Sequence, residues 1–365
     1  MPQSRQPFVA DQLCQQAKAL PPWPKPRLES GKNGWYEGDT VECPVCRPIE
    51  LSEHEKNTMK GPAMQRTVLL SAIVIVINAA YCLAGEPKLP PLKPILICPF
   101  RDPSICIGGD GLYYLTGTTG QPPIWWKTNE GIRVWKSADL KTWTPLGLVW
   151  KIDDGTWQKV KHGQNRALWA PEIHFIRGTF WLTHCMNFGG TGLLKSSSGK
   201  AEGPYVDVHP NGPLTGEIDA SLFADDDGRV YFVYQDGKIA RFNDEMTELA
   251  EKPRLLVPAN AKHVGFEGAF LTKMGGRYTL ACAEFNDREG TKTYDCMVAT
   301  AAKIYGPYTD RYLAIPHGGH NMLFKDLQGQ WWSTFFGSDS KAPFSERAAI
   351  LPLVIGGDGR IRPRS

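Results

Sequence analysis

The sequence predicts an all-β fold, a five-bladed β-propeller, and three observations carry that reading. The 365 residues include twelve Trp, twelve Tyr, fifteen Phe and thirty-seven Gly, a mix that favours many short strands and tight turns over long helices. One word recurs five times, a glycine followed by an aromatic-rich strand: GLYYLTG at Gly111, GTFWLTH at Gly178, GRVYFVY at Gly228, GRYTLAC at Gly276 and GQWWSTF at Gly329. Between these words lie further strand-like segments and turns, VWKSADLKTWTPLG, LLKSSSGKAEGPY, KIARFNDEMTEL and MVATAAKIYGPY. A unit of roughly 50 residues holding about four short strands is a propeller blade. An irregular β-sandwich has strands at the same density but no reason to repeat one turn-and-aromatic word.

Ahead of the repeats the chain changes character. Residues 1–63 are polar and Pro-rich, with PPWPKPR at 21–27 and no sustained period. Residues 64–85, MQRTVLLSAIVIVINAAYCLAG, give a basic lead, an apolar run and small residues before a Pro-rich stretch, the layout of an export signal with its cleavage site. Because such a signal opens a chain, Met64 is the expected start, and 1–63 a non-native or disordered extension. The protein is expected to be secreted or periplasmic. A membrane enters only if the apolar run, long enough to approach the ~20 residues of a bilayer span, stays uncleaved as an anchor. Residues 86–94 read as a linker and 95–365 as the propeller.

Composition excludes little else. A formal charge of +3 is too small and too scattered for a nucleic-acid partner. Cys43-Pro-Val-Cys46 is half a zinc site without its second half. Of the five cysteines after Gly85, Cys185 and Cys282 fall inside aromatic strands and are expected as buried free thiols.

The blades are then read in order from what precedes each glycine. Asp102, Asp219, Glu267 and His320 each stand nine residues before it, in DPSICI, DASLFA, EGAFLT and HNMLFK, and Glu172 stands closer in WAPEIHF. The first strand of each blade lines the central channel, so one register places these side chains at one mouth. A single Asp at a strand start is commonly a turn cap. Three carboxylates converging in a partly dry pocket raise one another's pKa. Glycosidic hydrolysis needs that division, with one acid protonated and another group ionised. The inserted loop QPPIWWKTNEG in blade one offers Trp125 and Trp126, either as a wall for stacking sugars or as a plug between blades, and Trp169 as a brace or further wall.

RDPSI, WAPEI, IDASLF, FEGAFL and GHNMLF, in this order and at blade spacing, resemble glycoside hydrolase family 43 over about Ile95 to Pro363. The resemblance implies a five-bladed propeller hydrolysing arabinosides, xylosides or galactosides of plant- or algal-type poly- and oligosaccharides with inversion. It implies Asp102 as general base, Glu267 as general acid and Asp219 as the carboxylate that tunes and orients the acid. It makes His320 a candidate metal residue, in some members beside a calcium in the channel, with no cofactor required for the chemistry. Arg347, in SERAAILPLV, matches a pocket arginine. The chain ends soon after GGDGRIRP, without the β-sandwich of some xylosidases, which leans toward an arabinofuranosidase, arabinanase or galactanase. The β-fructosidases share the RDP word, but their Asn-Asp-Pro and Glu-Cys motifs do not occur in these contexts. A non-catalytic carbohydrate-binding propeller is the alternative from another class.

Overall fold

A computed structural model describes residues 86–120, 126–160, 166–288 and 290–364. Among them twenty strands form five four-stranded antiparallel sheets, each built from consecutive strands, and the helical content is one 3-10 turn at Ile152–Asp154. The innermost strands are β1 (Arg101–Ile107), β5 (Leu168–Ile176), β9 (Ala220–Ala224), β13 (Glu267–Met274) and β17 (Leu323–Lys325). The five repeated words are the second strands, β2 (Tyr113–Thr118), β6 (Thr179–Met186), β10 (Val230–Tyr234), β14 (Arg277–Arg288) and β18 (Trp331–Phe336). In each word the leading glycine has positive φ, from 75° at Gly276 to 86° at Gly329, as the tight turn from the innermost strand demands.

The aromatic words do not alternate with polar residues because both faces of each sheet are covered. Along β9 and β10, Leu222 and Phe232 pack toward blade two with Trp181 and Leu193. Their neighbours Phe223, Tyr231 and Val233 pack toward blade four with Leu271 and Leu280. Equivalent clusters fill the gaps between blades one and two, four and five, and five and one. Each fully buried side chain of this kind contributes about 1.5–3 kcal/mol, so the core is five inter-blade layers rather than one centre.

The inner strands leave one edge toward the channel, and side chains of adjacent blades satisfy part of it. Ile173 N donates to Ser104 Oγ (3.0 Å), Leu222 N to His174 Nε2 (3.4 Å) and Ile105 N to Met322 Sδ (3.1 Å). Each links a blade to the one before it, and the last closes the ring.

The N-terminal approach also closes the ring. Ile95 N donates to Ala348 O (2.8 Å) and Phe100 N to Glu346 O (3.0 Å), at the start of β19 (Ala348–Ile355). Residues 86–94, expected as a linker, are partly packed: Leu89 and Leu92 rest on the layer between blades four and five. Among the described cysteines, Cys185, Cys282 and Cys296 are buried free thiols. Among the described residues no helix is long and apolar enough to cross a membrane. The extension 1–63, the export signal 64–85 and the Cys43–Cys46 pair lie outside the described residues.

Candidate active site

Each innermost strand begins with a kink. Asp102, Ala170, Asp219, Gly268 and His320 have φ of 53°, 42°, 57°, 62° and 54°, one in every blade. In β1 the pairing steps from Arg101↔Thr118 to Ser104↔Thr116, so one residue is extra, and β5 and β13 carry the same bulge. A bulge breaks the period of two and re-aims a side chain. For a non-glycine residue the left-handed conformation costs roughly 1–2 kcal/mol, and four of the five positions are not glycine. Here the re-aimed groups are Asp102, Asp219 and His320, which meet at one mouth.

This register corrects the sequence expectation in two places. Blade two presents Ala170 at the kink, and Glu172 lies two residues further down the strand, buried beside His174 (Oε2 to Nε2 3.0 Å). In blade four the kink is Gly268, so Glu267 stands one residue ahead of Asp102 and Asp219 and reaches the mouth from a different backbone position. A Cβ on Gly268 would come within 2.8 Å of His320 Cγ. The absent side chain lets the ring lie against the strand that bears Glu267.

His320 is the hub. Its Nδ1 lies 3.3 Å from Asp102 Oδ1 and 3.7 Å from Asp219 Oδ2. Thr118 Oγ1 donates to Asp102 Oδ2 at 2.6 Å and accepts from Ala170 N at 2.7 Å. Because the amide takes the hydroxyl's acceptor side, the single hydroxyl proton is directed at the carboxylate. Cys185 Sγ lies 3.7 Å from Asp219 Oδ1, and Tyr294 OH donates to Glu267 Oε1 at 2.8 Å.

Burial dominates the electrostatics. It pushes Asp219 up to about 7, aided by the charges of Glu267 and Asp102 and opposed by His320. It also raises Glu267, against the Tyr294 hydrogen bond and the positive charges of His320 and Arg101. For His320 burial works the other way, yet the surrounding carboxylates, Asp102 first, outweigh it and hold the imidazole above its ordinary value. The mouth therefore favours a histidinium between two carboxylates, with a proton retained on the Asp219–Glu267 pair.

Of the other expected site residues, Trp125 lies outside the described residues. Trp126 is half-buried; its ring lies 4.7 Å from Lys127 Nζ and 6.0 Å from the Arg101 guanidinium carbon. Trp169 donates through Nε1 to Trp126 O at 2.7 Å and so braces that loop. Arg347 is tied to its own loop, with Nη1 donating to Ser345 O and Glu346 O. Arg101 also stands at the mouth, ion-paired with Glu346 and near enough to Glu267 to stabilise its charge. Sequence reasoning missed Arg101 as a site residue although it stands beside Asp102. It had no signal for Thr118, Cys185 or Tyr294, which come from second and third strands.

The rest of the channel is different in kind. A cavity of about 240 Å³ at the other ends of the inner strands is lined by Ile105, Ile176, Leu222, Phe270 and Phe324, with His174 as a polar group. The carboxylate mouth is therefore the end with chemistry.

The glycosyl hydrolases family 43 model matches residues 91–360. The chain belongs to that family. Among curated proteins, it is 28% identical over 282 residues to a putative beta-xylosidase of Escherichia coli, covering 67% of this chain and 49% of that one. It is 30% identical over 215 residues to a beta-D-galactofuranosidase of Aspergillus niger, covering 52% and 60%. The chain thus spans about half the length of the first curated relatives it matches. Among solved structures, a family 43 enzyme of Xanthomonas citri aligns with TM-score 0.61 at 21% identity over 75% of this chain and 93% of that one. An exo-1,5-alpha-L-arabinanase from a bovine ruminal metagenomic library aligns with TM-score 0.57 at 20% identity over 73% and 97%. At such identities the structural likeness supports the propeller fold alone.

Family 43 also raises the question of a calcium ion beside His320. Calcium takes 6–8 oxygen ligands, whereas both oxygens of Asp102 and of Asp219 already face Thr118, Cys185 or His320 Nδ1. An ion held by His320 Nε2 would require the imidazole to give up the proton that its carboxylate neighbours favour, with water completing the shell.

Proposed function

We propose that this chain hydrolyses O-glycosidic bonds of arabinose-, xylose- or galactose-type oligo- or polysaccharides with inversion at the anomeric carbon. One observation carries the reading: Asp102, Asp219 and His320 are brought together by equivalent strained kinks, with Glu267 beside them. Strain and buried charge concentrated at one mouth point to function.

In the mechanism, Asp102 is the base. Thr118 and His320 hold its two oxygens, and it removes a proton from water as that water attacks the anomeric carbon. Glu267 is the acid: Tyr294 occupies Oε1, leaving Oε2 to carry the proton to the departing oxygen. Asp219 and Glu267 compete for one proton, and whenever Asp219 is ionised against the His320 cation it repels negative charge on Glu267 and so favours the acid's protonated form. Water and leaving group lie on opposite faces of the sugar, hence inversion, a mechanism that requires the base and acid carboxyl groups to be ~6.5–9.5 Å apart. Trp126, with Trp125 and the Trp169 brace, would wall the sugar site.

The names of the relatives, xylosidase, galactofuranosidase and arabinanase among them, support these sugar classes. An extracellular exo-alpha-(1->5)-L-arabinofuranosidase of Cellvibrio japonicus, 25% identical over 230 residues, supports export, with 64–85 as the signal. The test is hydrolysis of a panel of aryl glycosides and arabinan, xylan and galactan oligosaccharides, with anomeric configuration read by NMR. Asp102→Asn and Glu267→Gln should each lower turnover by roughly 10²–10⁴-fold on natural linkages. Retention of configuration, or near-normal turnover in both variants, would overturn the assignment. Binding of the same glycans without turnover would favour a carbohydrate-binding propeller.

A further inference from the structure

Blade four departs from the others in the length of one hairpin. Glu267 at the start of β13 pairs with Ala283, but β14 runs on to Arg288 and pairs through Arg288↔Thr291 with β15 (Thr291–Ala301). The five residues beyond Ala283 extend the hairpin by roughly 15 Å past the origin of the inner strand, on the side of the mouth that bears Glu267. Successive side chains alternate in a strand, so Phe285 shares a face with Ala283 and with its cross-strand partner Tyr294.

Phe285 is 57% exposed, the highest value for a large apolar side chain among the described residues. Its ring centroid lies 4.7 Å from that of Tyr294 and 6.0 Å from that of Phe266. The first of these rings hydrogen-bonds Glu267 and the second precedes it in the chain. An isolated exposed phenylalanine needs no explanation, but this one is held on a rigid mount beside a buried carboxyl group.

The mount is made by Asp295, His317 and Asp339. Their grouping resembles a cation site, but the carboxylate oxygens already have donors. Asp295 accepts from Arg288 Nη2 (2.9 Å), His317 N (2.9 Å), Thr293 Oγ1 (2.7 Å) and Asn286 Nδ2 (2.8 Å). Asp339 accepts from Lys341 N and Ala342 N on one oxygen. Its other oxygen takes Tyr294 N (3.0 Å) and faces His317 Nδ1 (3.1 Å). This network ties the hairpin to blade five, so Phe285 has a fixed platform.

We infer that the β14–β15 hairpin forms the leaving-group side of the substrate site, with Phe285 as the face on which the sugar beyond the scissile bond stacks. The inference rests on the assignment of Glu267 as the acid. The acid must touch the departing oxygen, so the residue attached to that oxygen lies over whatever flanks Glu267, and the flanking exposed surface is Phe285. An apolar ring suits the C–H face of a sugar and keeps water from that side of the acid. The substrate class follows: a glycan with at least one sugar on each side of the cleaved bond.

The test compares oligosaccharides with the matching glycosyl fluoride, whose leaving group carries no sugar, in wild type and Phe285→Ala. We expect kcat/KM on the oligosaccharide to fall about tenfold or more, while the fluoride is hydrolysed at a rate within about twofold of wild type. Equal losses on both, or no loss on either, would overturn the inference. Binding of the same oligosaccharide to Glu267→Gln, with and without Phe285→Ala, separates the two assignments. A Phe285-dependent affinity without wild-type turnover would sink the hydrolase reading and keep the stacking face, and Phe285-independent affinity would sink the stacking face. Phe285→Trp, which keeps a stacking surface, should retain oligosaccharide turnover and guards against a misfolded alanine variant.

Discussion

Thr118 shows how much a single hydroxyl can decide. It bridges the Ala170 amide of blade two and the Asp102 carboxylate of blade one, so it fixes the orientation of Asp102, the proposed base, and joins two kinks. Thr118→Val keeps the shape but removes both hydrogen bonds and leaves the Ala170 amide without this acceptor. Turnover should drop by roughly tenfold or more with little change in KM, since the loss falls on the positioned base rather than on sugar contacts. Thr118→Ser should restore most of it. A matching rise in KM for Val, or no rescue by Ser, would make Thr118 a packing residue. The carboxylates themselves were legible in the sequence because an acid ahead of an apolar strand is anomalous. Thr118 was not, since a threonine in a β-strand is ordinary.

At the level of the element, the inner strand is a short ladder with a strained first residue. Four blades accept that strain with a side chain in place, and blade four uses Gly268, whose Cβ position falls against His320. Gly268→Ala adds both a positive-φ penalty and a collision with the ring that separates Asp102 from Asp219. We expect a stability loss of about 1–3 kcal/mol, and a loss of turnover well beyond what the remaining folded fraction explains. Thermal melting and kcat measured on the same preparation check this. Turnover that merely tracks the folded fraction would show that His320 tolerates the shift. Counting nine residues back from each glycine found the correct neighbourhood but slipped by one in blade four. The turn after β13 is shorter than that after β1, so nine residues back lands on Glu267 rather than on the kink, and sequence spacing carries no record of φ.

Across the whole molecule, the buried charge at the mouth should appear in the pH dependence of both stability and rate. Asp219 has a folded-state pKa of about 7, above its ordinary 3.8. Its buried protonated form is therefore favoured, and its contribution is fully present below the unfolded pKa and lost as pH rises through about 7. Above that, wild type holds a costly carboxylate that Asp219→Asn does not. The variant should gain in melting temperature over wild type between pH 4 and 7, by a few degrees on the scale of ~2–4 °C per kcal/mol, and hold that gain to pH 8. Its activity should fall, and the alkaline limb of the pH–rate profile should move down. Repulsion between Asp219 and Glu267 is mutual, and removing one charge lets the other ionise earlier. A gain that does not grow with pH, or an unshifted limb, would mean that Asp219 does not share the acid's proton.

What the sequence determined by itself was the repeat. Five glycine-aromatic words demand five equivalent units, because each needs both faces covered and only neighbouring copies can cover them. From the same repeat came the ring, the inner strands and the mouth at which Asp102, Asp219, Glu267 and His320 gather. What tertiary structure decided was everything set by residues distant in the chain. Arg101 is held by Glu346 across the ring closure, because the pairing of Phe100 with Glu346 brings the N-terminal approach to blade five. Tyr294 holds Glu267, and Phe285 stands exposed beside it, because β14 outruns β13. Periodicity reports which face a residue is on. It does not report how far a hairpin extends or which blade's side chain meets it, since those depend on ring closure and on bulges that leave no period of their own.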